Sequence, residues 1–424
     1  MSSSAHSPAA PFALLPFEHK LDRLAEVAVR IGAGIQPDQE LVITAPTDAL
    51  PLVRLITAHA YKAGAKLVTT FYADDAATLA RYQHAPDSSF DYAPTWYYNA
   101  LAAAYKSNAA RMGITGADPA LLAAQDPNKV SRANMATSKA YKPAMELITR
   151  FAINWTIVAA ATPAWAALVF PNDPPEVALS NLWEAIFYTS RITGEDPIAD
   201  WKQHNANLTR RVDFLNNKRY HSLRFFTPDN ATDLTVGLAD QHLWCGGGAT
   251  AGNGYYCNAN IPTEECFTTP HKSRVYGHVS ASKPLSHQGT LIENIRCTFK
   301  DGRIIEGSAT AGEEAMTKLI ATDKGACQLG EVALVPHDSP IAQSGILFWN
   351  TLFDENAASH IALGQAYSTC IIDGENMSKS ELSLLGANDS LIHVDWMIGG
   401  PTMNVDGLSS DGTAEPLMRQ GVWV

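Results

Sequence analysis

Residues 40–72 read ELVITAPTDALPLVRLITAHAYKAGAKLVTTFY, and the fold of the amino-terminal half follows from them. Glu40–Ala45 is a short, essentially apolar run, the pattern of a strand buried on both faces of a parallel sheet. Leu52 to Ala63 has helical spacing, with Pro51 suited to the first turn and Gly64 to the cap. Lys66 to Tyr72 is a second strand. Strand, helix and strand in this order make one βαβ unit, whose strands lie parallel.

The same alternation extends outward. Leu21, Leu24, Ala25, Ala28 and Ile31 recur at helical spacing from Phe17, and Gly32 and Gly34 end that helix. Trp155 to Ala161 is another apolar strand, and Pro175 to Ile192 a long helix. Residues 17–210 are therefore expected to form an α/β N-terminal domain with a largely parallel sheet. Residues 1–16 are rich in Ser, Ala and Pro and read as a flexible leader. They lack the basic start and apolar run of a signal peptide.

The character changes after Leu208. Leu223 to Phe226, Asp233 to Leu238, Arg274 to Ser280, Ile295 to Phe299 and Arg303 to Ala309 are short alternating strands, and Asp301-Gly302 joins the last two as a hairpin turn. Helices are expected at 313–321 and 355–363, and strands at 329–335 and 390–397. Residues 211–424 thus read as an α+β C-terminal domain. A chain of 424 residues is long enough for two such domains.

Composition narrows the partners. The formal net charge of −12 opposes nucleic acid and anionic membranes. No run of 18 apolar residues occurs. The six cysteines form no CxxC pair and are too sparse for a disulfide scaffold, which fits a reducing compartment, the cytoplasm. GxxxxGK[ST], HExxH and GxSxG are all absent. Cys245-Gly246-Gly247-Gly248 reads as a flexible loop rather than a phosphate cradle.

Four segments carry ionisable groups that ask for partners. In SLIHVDWMIGG, His393 and Asp395 are two apart on a strand and project from one face. They form a ligand pair, a simple His–Asp hydrogen bond or the wet face of an edge strand. In FDENAASHIALGQAY, a helix from Glu355 would set His360 on one face and bring Tyr367 back to it two turns later. A surface or capping histidine and a core tyrosine are the plainer readings. In NIPTEECF, Thr263 caps a helix with Glu264 and Glu265 in its first turn, or a strand sends the two glutamates to opposite faces. In CQLGEVALVP, Glu331 is the only charge of an apolar strand and needs a partner if buried. Together these groups are oxygen-rich with two imidazoles, which suits Zn, Co, Mn or Mg rather than a thiolate zinc site.

NIPTEE (260–265), LGEVALV (329–335), TLFDENAASHIALGQAY (351–367) and IHVDWMIG (392–399) resemble, in order, the motifs of the thermophilic aminopeptidase T family of two-metal metalloaminopeptidases. The resemblance implies that Glu265, Glu331, His360, Tyr367, His393 and Asp395 hold two divalent metal ions. It implies removal of amino-terminal residues from peptides with a free N-terminus, and a homodimer that encloses its active sites. Glu264, beside a ligand, is the expected carrier of the water's proton. Residues 243–257 are richer in Cys and Gly than the family pattern. The alternatives are hydrolysis of non-peptide amides on the same scaffold and a non-catalytic, metal-stabilised protein.

Overall fold

The structure, a computed structural model, describes residues 15–287 and 290–424. Most of the leader expected at 1–16 therefore lies outside the described residues. The first sheet has four parallel strands, β1 (Glu40–Pro46), β2 (Leu67–Ala73), β3 (Ala110–Thr115) and β4 (Trp155–Ala159), in the order β2-β1-β3-β4. The middle of β1 is buried, as its apolar run requires, whereas β2 is an edge strand with alternating exposure. Between them Leu50–Lys62 is helical with Pro51 in its first turn, and Gly64 follows at φ +96°, where a side chain would be strained. The first helix, Phe17–Val27, continues through a wider turn to Ala33. Gly34 in the left-handed region is its terminator, and Gly32 lies inside the last turn.

The C-terminal half holds two larger antiparallel sheets. One has eight strands and includes the expected hairpin Arg296–Lys300 and Arg303–Ser308. The other has four strands, in the order His393–Met397, His360–Gly364, Leu329–Leu334 and Cys266–Thr268. One sequence expectation is overturned here. The helix expected at 355–363 is a short helix, Thr351–Asp354, a single tight turn, Glu355–Ala357, and then a strand, His360–Gly364. Ala-rich composition favours helix, but local hydrogen bonds compete with it. Ser359 Oγ bonds both the N–H and the carbonyl of Val335 (3.1 Å each), which ties the chain to the neighbouring strand.

The two halves share their cores. Ile341, Phe348, Leu352 and Phe353 pack with the helices of the parallel sheet, and Trp165 Nε1 donates to the Phe348 carbonyl at 2.5 Å. Residues 259–261 pair with the outer edge of β4 through Ile157, so the segment leading to Glu265 is docked on the N-terminal sheet. Among the described residues no helix is long and apolar enough to cross a membrane.

Candidate metal centre

The four-stranded sheet collects the ionisable groups. Its register sets Glu331 beside Ala362, Ala362 beside Asp395, and Gly364 beside His393. Residues paired across strands share a face, as do residues two apart. Glu331, His360, His393 and Asp395 therefore project from one face. Glu265, two residues before Phe267 (which pairs with Ala333), joins them from just ahead of the fourth strand. Ala362 and Gly364 between them leave that face open.

The result is two overlapping triads, Glu265–Glu331–His360 and Glu331–His393–Asp395, each with ligand atoms within 4.8 Å of one another. Glu331 belongs to both. Its Oε1 is 3.5 Å from His360 Nε2 and its Oε2 is 3.5 Å from His393 Nε2. Each imidazole has a second carboxylate, Glu265 at 3.4 Å from His360 and Asp395 at 3.4 Å from His393. The far ring nitrogens are anchored, His393 Nδ1 on the Gln365 carbonyl (2.7 Å) and His360 Nδ1 on that of Ala358 (3.2 Å). Such contacts fix the tautomer that turns Nε2 toward a ligand. The Tyr367 ring packs on that of His393, centroids 4.7 Å apart, and so stands beside the second triad. It arrives there from the end of a strand, not from a helix.

Carboxylates dominate the electrostatics of the cluster. Burial lowers the pKa of both imidazoles, yet the surrounding carboxylates outweigh it. Glu331 and Glu265 push His360 up to about 10, and Asp395 and Glu331 push His393 up to about 9. Burial raises Glu265 to about 8. Burial and the neighbouring carboxylates also raise Tyr367 well above its ordinary value. This donor set, three carboxylates and two imidazoles, fits divalent ions of the zinc or manganese kind.

Glu264 faces the other way. Arg191 holds its carboxylate with two hydrogen bonds, 2.5 and 2.9 Å, and Asn356 Oδ1 accepts its backbone N–H at 2.7 Å. The chain here is neither capped nor helical. His204 Nε2 meets the Thr263 carbonyl at 2.7 Å, so the ligand segment is clamped by side chains of the N-terminal half. The glycine-rich loop takes part as well. Cys245 and Phe267 exchange backbone hydrogen bonds (2.9 Å each), and a Cβ on Gly246 would stand 2.5 Å from the Glu265 carbonyl oxygen. Only glycine allows that approach.

A carboxylate that sequence reasoning passed over completes the site. Glu355 lines, with Asp395, a cleft of about 60 Å³ walled by Leu285, Leu347 and Trp349. Its Oε1 accepts from Asn260 Nδ2 at 3.2 Å. Burial and then Glu265 and Asp395 push its carboxyl well above the usual range. The acid pair Asp354-Glu355 is the available signal in the sequence.

Comparison with known proteins identifies the family. Residues 17–423 match the family model described as thermophilic metalloprotease (M29). Aminopeptidase T of Thermus thermophilus is 50% identical over 411 residues, 96% of this chain and 99% of that protein. Aminopeptidase 2 of Geobacillus stearothermophilus is 46% identical over 407 residues, 96% and 98% of the two chains. The solved structure of wild-type AmpT from Thermus thermophilus superposes with a TM-score of 0.91 at 49% identity, covering 96% of this chain and all of that one.

Proposed function

The chain belongs to the thermophilic metalloprotease (M29) family, and from that premise we propose that it is a two-metal aminopeptidase that removes amino-terminal residues from peptides. Membership and the names of its relatives support a metal-dependent aminopeptidase. The observation that carries the two-metal reading is the position of Glu331, one carboxylate oxygen toward each imidazole. Glu265, Glu331 and His360 would hold one divalent ion. Glu331, His393 and Asp395 would hold the other, with Tyr367 at their side. Bound there, the ions supply Lewis acidity toward a carbonyl and a water nucleophile at neutral pH.

The remaining work falls to side chains. Glu355, on the cleft wall beside Asp395, accepts the proton of the attacking water and returns it to the leaving amine. Glu264, neutralised by Arg191, positions the loop that carries Glu265. The free amine of the substrate binds at this centre, which sets the requirement for an unblocked N-terminus. The apolar wall of Leu285, Leu347 and Trp349 faces the first side chain. The protein acts in the cytoplasm as a homodimer on this reading.

The test is hydrolysis of an aminoacyl-anilide after chelation and reloading with Co or Zn. Cleavage of the free-amine substrate by metal-loaded protein alone, with its acetylated counterpart untouched, is the expected result. Failure on every unblocked substrate would end the aminopeptidase reading. Equal cleavage of blocked and unblocked forms would favour a general amide hydrolase.

A further inference from the structure

The parallel sheet reverses its winding between β1 and β3, since β2 lies on one side of β1 and β3 on the other. Open parallel sheets form a crevice beyond the strand ends at such a point. Here it is a cleft of about 390 Å³, bordered by Thr44, Phe71, Tyr97 and Thr115, with Arg111 among its lining residues. The chemistry of this cleft is unbalanced. A guanidinium has five N–H donors. None of those of Arg111 finds an acceptor among the described residues, and its Nε is closed off from solvent. Asp75, the one acid on the wall, accepts the backbone N–H of Asp118 at 3.0 Å and stands beyond ion-pair distance of Arg111.

The guanidinium rests on the Trp155 ring, 5.6 Å from its centroid. It extends over Gly113, where Nη2 would be 3.1 Å from an added Cβ. The absent side chain of Gly113 thus leaves the path along which Arg111 reaches the cleft. Arg111 is half-buried with Nε shielded from water, and a guanidinium so placed is served best by bidentate pairing with a carboxylate.

The wall of this cleft touches that of the cleft at the metal centre. Thr115 Oγ1, on its wall, accepts a hydrogen bond from Asn350 Nδ2 at 3.1 Å, and Asn350 lines the small cleft that holds Glu355 and Asp395. Ile157, another wall residue, pairs with the segment that leads to Glu265. One hydrogen bond, Asn350 to Thr115, thus joins the walls of the two clefts.

We propose that the switch-point cleft receives the carboxy-terminal end of a short peptide substrate, whose α-carboxylate pairs with Arg111. The inference rests on the aminopeptidase reading. An enzyme that holds the free amine at the metal centre and the free carboxylate at Arg111 selects peptides by length.

The test is steady-state kinetics on unblocked peptides from dipeptide to octapeptide, each as free acid and as C-terminal amide. At one length the acid should have a KM lower than its amide by about 10- to 100-fold, the usual weight of a charge-assisted hydrogen bond. That preference should fade at shorter and longer lengths. In Arg111→Met the acid-to-amide ratio should fall to about one. In Arg111→Lys it should fall partway, because an ammonium lacks the bidentate fork. Melting curves verify that the variants fold. If Arg111→Met does not fold, the wild-type series and Arg111→Lys decide. Acids and amides that match at every length in the wild type, while an aminoacyl-anilide is cleaved, would overturn the cleft proposal and leave the aminopeptidase reading standing. A preference unchanged in folded Arg111→Met would overturn it too. Cleavage of neither anilide nor peptide would sink both.

Discussion

Glu331 has one carboxyl group and two imidazoles to serve, each 3.5 Å from a different oxygen. Its loss should therefore cost more than the loss of either histidine. Glu331→Gln is expected to retain no tightly bound metal after dialysis, whereas His360→Ala and His393→Ala each retain one ion of two. Plasma mass spectrometry of the dialysed proteins measures this, and a Glu331→Gln variant that keeps both ions would refute the shared ligand. Glu355 makes the contrasting case. It lines the cleft without belonging to either triad. Glu355→Gln should keep its metal and lose about 10²- to 10⁴-fold in kcat, the range for removal of a general base. Wild-type turnover in that variant would return the proton to another group.

The ligand segment 259–268 is held as an element, not by its own propensity. Arg191 and the buried Glu264 form a part-buried two-point ion pair, with His204 beneath. Breaking such a pair costs roughly 3–5 kcal/mol, because the surviving charge is left without a partner. Arg191→Met and Glu264→Gln should each destabilise the protein by about that much. The double variant should lose far less than the sum, since neither charge then stands alone. Denaturant titration of the cycle decides, and simple additivity would count against the clamp. His204 adds a pH term. Burial, then the nearby Arg191 charge, lower its pKa from the ordinary 6.5 to about 4. The neutral ring is the one the fold accommodates. Its contribution is complete above pH 6.5 and is lost as pH falls toward 4, because the unfolded chain takes up the proton first. His204→Gln should therefore show a shallower fall of stability over that interval. Parallel slopes for variant and wild type would contradict the assignment.

Across the whole molecule, the halves are joined by shared core rather than by a linker. Ile341, Phe348, Leu352 and Phe353 belong to the core of the parallel sheet. The loop that carries Glu265 pairs with the edge of β4. Residues 211–424 expressed alone would expose that apolar patch and lose the clamp on Glu264. They are expected not to fold to a metal-binding form, and the full chain is expected to melt in one cooperative transition. Calorimetry checks both, and two separated transitions would show the halves to be independent.

What the sequence by itself determined is the local grammar. The apolar runs at 40–45 and 155–161 had to be strands buried in a sheet, and the helix after Pro51 had to return the chain parallel. The pair His393 and Asp395 had to share a face, because side chains alternate along a strand. The resemblance of four ordered segments named the family and most of the acidic cluster. Tertiary structure alone decided what depends on distant partners. It made a strand of His360–Gly364 by pairing it on both sides, against an Ala-rich helical pattern. It sent Glu264 to Arg191 and Glu265 to His360, a division that adjacent glutamates cannot express in one dimension. It also brought Glu355 to the cleft and left Arg111 without an acceptor, since burial and charge pairing are set by residues scores of positions apart.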